Sequence, residues 1–245
     1  MNLMIDLGNS RAKWAISAPG LWQTDSALLS DQDMLTTLDR VWNGMEAPQK
    51  VIVSNVAGKR RLHELEQWIK KHWSVPLHVI EAQRELLGVK NSYHEPSHLG
   101  ADRWAALIAA RGLTSSSASV VDCGTAITID ALSVQGEFLG GVIFPGLGIL
   151  RTSLTQGTDG IEATAGNDTS CLARSTADSV AAGTLFGLVG AIERILRECQ
   201  KTLGDNFQVF VTGGDAATIS SRMTWPVKQV PDLVLKGLAR IAETL

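Results

Sequence analysis

The chain has 245 residues, a net charge of −3, 44% hydrophobic and 19% charged residues. That is enough for one large domain or two ordinary ones with a real core. No run of lysine and arginine stands out, which excludes a nucleic-acid partner held through its phosphates. Cys123, Cys171 and Cys199 are too scattered for a disulfide framework or a zinc knuckle, and they fit a reducing compartment.

The first residues, Met1-Asn2-Leu3-Met4-Ile5, carry no basic charge, and Asp6 ends the apolar stretch, so no signal peptide is expected. The apolar run from Phe138 to Leu150 is interrupted by Pro145 and is too short for a bilayer span. The expectation is a cytoplasmic protein with no membrane partner.

Leu3-Met4-Ile5 and Ala12–Ile16 read as two arms of a hairpin joined by Gly8-Asn9-Ser10-Arg11. Val51–Ser54 suits a buried strand. A helix is predicted from Arg61 to Lys71, with Leu62, Leu65, Trp68 and Ile69 on one face. Leu77–Ile80 is a further short strand, and the alternation implies an α/β layered fold. Gly100 to Trp104 opens another helix, whose Trp104, Leu107, Ile108 and Arg111 share a face and whose stop is Gly112. The polar stretch Thr114–Ser119 is the best domain boundary, giving halves 1–114 and 115–245.

The opening pattern then returns. Ser119-Val120-Val121 leads into Asp122, and an alternating strand follows from Ala126 to Leu132. Asp6 and Asp122 are 116 positions apart, close to half the chain. Two halves that each begin with a strand, an Asp-x-Gly-polar turn and a strand suggest a duplication. Helices around Ser179–Gln200 and Leu233–Thr244 are predicted in the second half, with a strand at Gln208–Thr212 running into Gly213-Gly214-Asp215.

Such turns suit a nucleotide. Glycine lets phosphate oxygens approach backbone N–H groups. Asn9, Ser10 and Thr125 add side-chain hydrogen bonds, Arg11 or Lys13 can add positive charge, and an aspartate at a strand end can hold a cation. Neither G-x-x-x-x-G-K-S/T nor G-x-G-x-x-G occurs, so a P-loop and a dinucleotide fingerprint are excluded. His94-Glu95-Pro96-Ser97-His98 matches the zinc-protease string H-E-x-x-H, but Pro96 would break the helix that chemistry needs, and a loop lining the acceptor pocket is expected instead. Asp102, in the first turn of its helix, is the candidate base for phosphoryl transfer.

The paired turns resemble the phosphate loops of the acetate and sugar kinase, heat-shock chaperone and actin superfamily, in which two related domains clasp ATP. Thr212-Gly213-Gly214 resembles its adenosine loop. With Gly100-Ala101-Asp102-Arg103 and Gly140–Gly146 added, the chain resembles a type III pantothenate kinase from Asp6 to Gly214. That resemblance implies two RNase H-like (actin-like ATPase) domains, each a mixed sheet flanked by helices. It implies that Asp6, Leu7, Gly8, Asn9, Ser10, Arg11, Ala12 and Lys13 form the first ATP phosphate loop and that Thr125 touches ATP. It makes Asp102 the base for the pantothenate hydroxyl, with Tyr93, Gly100, Ala101 and Arg103 shaping that site. It gives Thr176 a contact to pantothenate from a neighbouring subunit, Asp122 a monovalent cation (potassium or ammonium), and ATP a magnesium ion. The Gly140–Gly146 segment implies a homodimer, and Leu147 and Leu150 beyond it read as packing. Ser10 stands where threonine is usual in the family and keeps the hydroxyl. Intact Asp102 and both turns weigh against a noncatalytic accessory protein.

Overall fold

The computed structural model describes residues 1–29, 34–162, 166–167 and 170–245. The opening alternation folds as β1 (Asn2–Leu7), β2 (Arg11–Ala18) and β3 (Leu21–Leu28), an antiparallel meander. Beyond α1 (Met34–Trp42), β4 (Lys50–Asn55) joins β1 in parallel, α2 (Lys59–His72) crosses over, and β5 (Leu77–Ile80) joins β4 in parallel. The sheet order is β3-β2-β1-β4-β5.

Strand alternation assigns the two faces of this sheet. Leu3, Ile5, Leu7, Val51 and Val53 enter a core with Met34, Leu38, Leu65 and Ile69 of α1 and α2. Trp14, Trp42, Trp68 and Trp73 pack there edge to face or tilted, with centroids 4.8–5.6 Å apart. Trp68 Nε1 donates to Asp39 Oδ1 at 2.7 Å, so its polar edge is satisfied. The hairpin β6 (Glu85–Leu86) and β7 (Val89–Asn91) and a short 3-10 turn, Pro96–His98, lead into α3 (Ala101–Leu113).

The second unit repeats the plan. β8 (Ala118–Cys123), β9 (Ala126–Leu132) and β10 (Glu137–Pro145) form a meander. α4 (Leu147–Gly157) and α5 (Thr176–Leu203) follow, and β11 (Gln208–Thr212) then pairs in parallel with β8. After α6 (Ala216–Ser220), β12 (Lys228–Gln229) pairs in parallel with β11. The order β10-β9-β8-β11-β12 has the same sequence of antiparallel and parallel neighbours as the first sheet. That shared topology is what the repeated aspartate turns led one to expect. α5 is long and apolar enough to cross a membrane by length and composition, a feature missed in the sequence. Its Leu185, Leu188, Val189, Ile192 and Leu196 are buried in this unit's core with Val121, Ile127, Ile129 and Val211. Leu147 is buried there and Leu150 packs against it, while the helix they begin, α4, was not foreseen.

The units divide as Met1–Leu113 with Asp232–Leu245, and Thr114–Pro231. The sequence expectation ran the second half without interruption over 115–245, whereas residues Asp232–Leu245 group with the first unit. The last helix, α7 (Leu233–Ala242), packs on α3 and β1 in the first unit. The reason is its broad apolar face, with Leu233, Val234, Leu235, Leu238 and Ile241 buried. A close helix crossing fixes it there: a Cβ on Gly237 would stand 1.9 Å from the Ala105 carbonyl oxygen.

Candidate active site

Asp6, half-buried near the end of β1, lies in register with Lys13 of β2 and with Ser54 of β4. These residues form one row across the sheet, at the carboxyl end of the two parallel strands, where open α/β sheets bind ligands. The Gly8-Asn9-Ser10 turn is closed by the Gly8 N–H donating to the Arg11 carbonyl at 3.1 Å. A Cβ on Gly8 would also lie 3.1 Å from that oxygen. Leu29 N–H donates to the Ser10 carbonyl at 3.0 Å, tying the turn to the end of β3. Leu7 and Ala12 are buried beneath the turn, Lys13 is half-buried, and the Arg11 guanidinium reaches Ser26 Oγ at 2.9 Å.

Three groups around this turn escaped the sequence reading. Arg61 of α2, 7% exposed, donates through Nη1 to the carbonyls of Gly8, at 3.4 Å, and Asn9. Ser54 is fully buried and its Oγ has no hydrogen-bond partner among the described residues. Asn55 shapes the next loop, accepting from Ala57 N–H at 3.1 Å and donating to the Gly58 carbonyl at 3.3 Å. Only the helical period could have pointed to Arg61, since it shares a face with Leu65 and Trp68.

Asp102 sits in the first turn of α3, half-buried, with Oδ1 accepting from the Arg103 N–H at 2.7 Å. Burial pushes its carboxyl above the usual carboxylate range, against the opposing pull of the Arg103 amide and guanidinium. Gly100 makes room for it, since a Cβ there would stand 2.6 Å from Asp102 Oδ1. Ala101 is buried. Arg103, 6% exposed, donates to Tyr93 Oη at 3.0 Å and lies 5.9 Å from the Tyr93 ring centroid.

The loop that presents Tyr93 is internally braced. Asn91, 3% exposed, accepts from the Tyr93 N–H at 3.0 Å and donates to the Pro96 carbonyl at 3.1 Å. Arg84 donates to the carbonyls of Asn91, Tyr93 and His94 at 3.2–3.4 Å. No sequence signal marked Arg84 or Asn91. His94 and His98 lie in this loop, with Pro96 opening the 3-10 turn instead of sitting inside an α-helix. No group of three or more His, Cys, Asp or Glu is arranged to hold a metal among the described residues.

In the second unit Asp122 lies in register with Thr128 of β9 and Thr212 of β11. Gly213, at φ 98°, backs onto it: a Cβ there would be 2.6 Å from Asp122 Oδ1 and 2.4 Å from the Cys123 carbonyl. The Asp215 N–H donates to that carbonyl at 3.0 Å, so the Gly213-Gly214-Asp215 turn is laced to the strand carrying Asp122. Gly146 N–H donates to the Thr125 carbonyl at 3.0 Å, which brings the β10–α4 junction against the Gly124-Thr125 turn. Burial raises the Asp215 carboxyl, and the Arg151 guanidinium partly offsets it. The Cys123 thiol is driven far above its ordinary range by burial, and then by the Asp122 and Asp215 carboxylates. It is inert as a nucleophile. Thr176 opens α5, where the Ser175 side chain caps the helix by accepting from the Asp178 N–H at 3.1 Å.

A family model described as type III pantothenate kinase matches residues 2–198. A type III pantothenate kinase from Nitrosococcus oceani is 35% identical over 99% of this chain and 94% of its own. One from Chromobacterium violaceum is 36% identical over 100% of both chains. Among solved structures, a Campylobacter jejuni protein labelled a Baf family transcriptional activator has a TM-score of 0.63 at 20% identity, covering 99% and 98% of the two chains. An inorganic polyphosphate/ATP-glucomannokinase from Arthrobacter has a TM-score of 0.52 at 16% identity, covering 99% and 98%. The structural neighbours share the two-domain sugar kinase and actin-like ATPase fold.

Proposed function

From the premise that this chain belongs to the type III pantothenate kinase family, we infer that it transfers the terminal phosphoryl group of ATP to the primary hydroxyl of pantothenate. The products are 4′-phosphopantothenate and ADP, and the reaction opens coenzyme A biosynthesis. The observation that carries the assignment of chemistry to residues is the placement of Asp102. Its carboxylate is half-buried at a helix start, cleared by Gly100, beside the Arg103–Tyr93 pair.

Phosphoryl transfer asks for positioning, charge neutralisation and a proton acceptor. Asp102 takes the proton as the hydroxyl oxygen attacks phosphorus and the bond to ADP breaks. A carboxyl whose affinity for protons is raised by burial is a better base than an exposed one. Arg103 offers a fork for the pantothenate carboxylate, and Tyr93, Gly100 and Ala101 line the same pocket. Thr176 reaches pantothenate bound to a second copy of the chain.

The Asp6–Lys13 segment and Thr125 hold the ATP phosphates. Magnesium, arriving with ATP, offsets their charge, and the hard oxygen donors of Asp6 and Ser10 suit it. Asp122 holds a monovalent cation, potassium or ammonium. Hydrogen in place of a side chain at Gly213 keeps space beside that carboxylate. Leu139, Val142 and Ile143 of β10 are 40%, 40% and 61% exposed, and these exposed apolar side chains support a homodimer. A cytoplasmic location goes with this biosynthetic role.

A coupled assay with ATP, magnesium and pantothenate, run in potassium and then in sodium, tests the reading. Turnover in potassium and a marked loss in sodium are expected. Absence of turnover in potassium would sink the enzymatic reading, and equal rates in both salts would remove the cation from Asp122.

A further inference from the structure

We propose that Ser54 is a positioning residue for Asp6: from the neighbouring strand its buried hydroxyl donates to the Asp6 carboxylate when the magnesium–nucleotide complex engages that carboxylate, and so holds it in one orientation. The proposal rests on the reading of Asp6 as a magnesium-side residue of the phosphate loop.

Ser54 sits near the carboxyl end of β4, in register with Asp6 of β1 on one side and Ile80 of β5 on the other. Val51 and Val53 enter the core with α1 and α2, so strand alternation turns Ser54 to the opposite face. Ile5 and Leu7 enter the same core, which turns Asp6 to that opposite face too. Lys13 joins the row from β2. Asp6 therefore has a cation on one neighbouring strand and a neutral hydroxyl on the other. Adjacent strands stand about 4.8 Å apart. At that spacing a serine hydroxyl and a carboxylate meet through rotation about χ1.

Ser54 is 0% exposed, and its Oγ has no hydrogen-bond partner among the described residues. A buried hydroxyl in that state is destabilising, so for folding alone alanine would serve better. The backbone on either side is fixed. Val56 N–H donates to the Leu7 carbonyl at 3.0 Å, and Asn55 braces the loop beyond through Ala57 N–H and the Gly58 carbonyl. What is left to the hydroxyl is rotation, and of its two register neighbours only Asp6 carries a side-chain acceptor. Asp6 has an interaction of its own in the protein. Its two oxygens offer about four acceptor sites, so a further donor is accommodated. A hydroxyl suits the place because it orients the carboxylate without adding a positive charge that would repel magnesium. The bond it makes to an ionised carboxylate is of the stronger, charge-assisted kind. The unmade bond thus weighs on the nucleotide-free protein and is regained on binding.

Calorimetric titration and thermal melts of the full chain test this. Ser54→Ala is expected to weaken magnesium-ADP by about tenfold to a hundredfold, the range of a hydrogen bond to a charged group. Its affinity for ADP without magnesium should stay within about twofold of the parent. The nucleotide-free variant should melt about 2–4 °C higher, since an unsatisfied buried hydroxyl has been removed. Ser54→Cys, close to serine in shape but only a weak donor, should match Ser54→Ala in magnesium-ADP affinity. Added to Asp6→Asn, Ser54→Ala should change that affinity no further, because the two side chains act as one unit. The proposal is overturned if Ser54→Ala binds magnesium-ADP normally, if it loses ADP equally with and without magnesium, if it melts lower than the parent, or if its effect persists in the Asp6→Asn background. If Asp6→Asn by itself leaves magnesium-ADP binding unchanged, the magnesium reading of Asp6 fails and this one with it.

Discussion

Gly100 and Asp102 are coupled by space: a methyl group at residue 100 would lie 2.6 Å from the Asp102 Oδ1. The carboxylate folds back over its own helix start to meet the Arg103 N–H at 2.7 Å, and only a residue without Cβ leaves that place open.

Gly100→Ala should therefore displace the Asp102 carboxylate without removing it. The expected result is a fall in kcat approaching that of Asp102→Asn, about 10²- to 10⁴-fold for a lost general base, with ATP binding retained in both. Steady-state kinetics and nucleotide titration of the two variants check this. A Gly100→Ala enzyme with unchanged kcat would show that the carboxylate's present position is not the working one.

Burial of Asp102 also predicts a trade between activity and stability. Its carboxyl binds a proton more tightly in the folded protein than in the unfolded chain, whose carboxyl titrates near the ordinary value of about 3.9. The folded state then holds more protons, so this group's contribution to stability falls as pH rises from the unfolded value through the folded one. Asn carries no such penalty. Asp102→Asn should melt higher than the parent at about pH 7, and the gap should narrow as pH falls and close at about pH 3, below the unfolded value, where the carboxyl is protonated in both states. A gap of constant size across that range would mean that something other than ionisation is responsible.

The two ends of the chain show what the sequence could and could not convey. The paired turns at Asp6 and Asp122 announced themselves as one Asp-x-Gly pattern repeated half a chain apart, and the two meanders share the order of their antiparallel and parallel neighbours. Strand β5 was readable to the residue, because a short apolar run between turn residues has few other outcomes. The destination of α7 was not, because an amphipathic helix states that it must be covered but not by what. Arg61, Arg84 and Asn91 were invisible for a related reason. Each acts on backbone carbonyls or amides, and a backbone partner leaves no mark in the sequence. Asp215 stood in plain view after Thr212-Gly213-Gly214, yet its link to the Cys123 carbonyl depends on a register between β8 and β11 that only the fold supplies.

Asn91 offers a test of the acceptor loop. It is 3% exposed and serves the Tyr93 N–H and the Pro96 carbonyl at once. Asn91→Ala removes the partner of two partly buried backbone groups and should cost about 1 kcal/mol of stability. It also frees Tyr93 from the position in which Arg103 reaches its hydroxyl at 3.0 Å. The KM for pantothenate should then rise several-fold more than the KM for ATP. Equal changes in the two constants would place Tyr93 outside the acceptor pocket.

Gly237 carries the last prediction, and it links the fold to the site. Ordinarily Gly→Ala inside a helix gains about 1 kcal/mol from propensity. At this position the new Cβ would stand 1.9 Å from the Ala105 carbonyl oxygen and 2.4 Å from its carbon. Backbone cannot rotate aside as a side chain would, so α7 or α3 must shift. Overpacking of this kind costs about 1–3 kcal/mol and often more, which outweighs the propensity gain. Gly237→Ala should lower the denaturant midpoint with little change in slope. Because Ala105 lies one turn beyond Asp102 on α3, a shift of that helix should also reduce kcat while leaving the affinity for ATP near its starting value. A variant that is stabilised, or destabilised with full kcat, would show that α7 gives way and that α3 is held by other contacts.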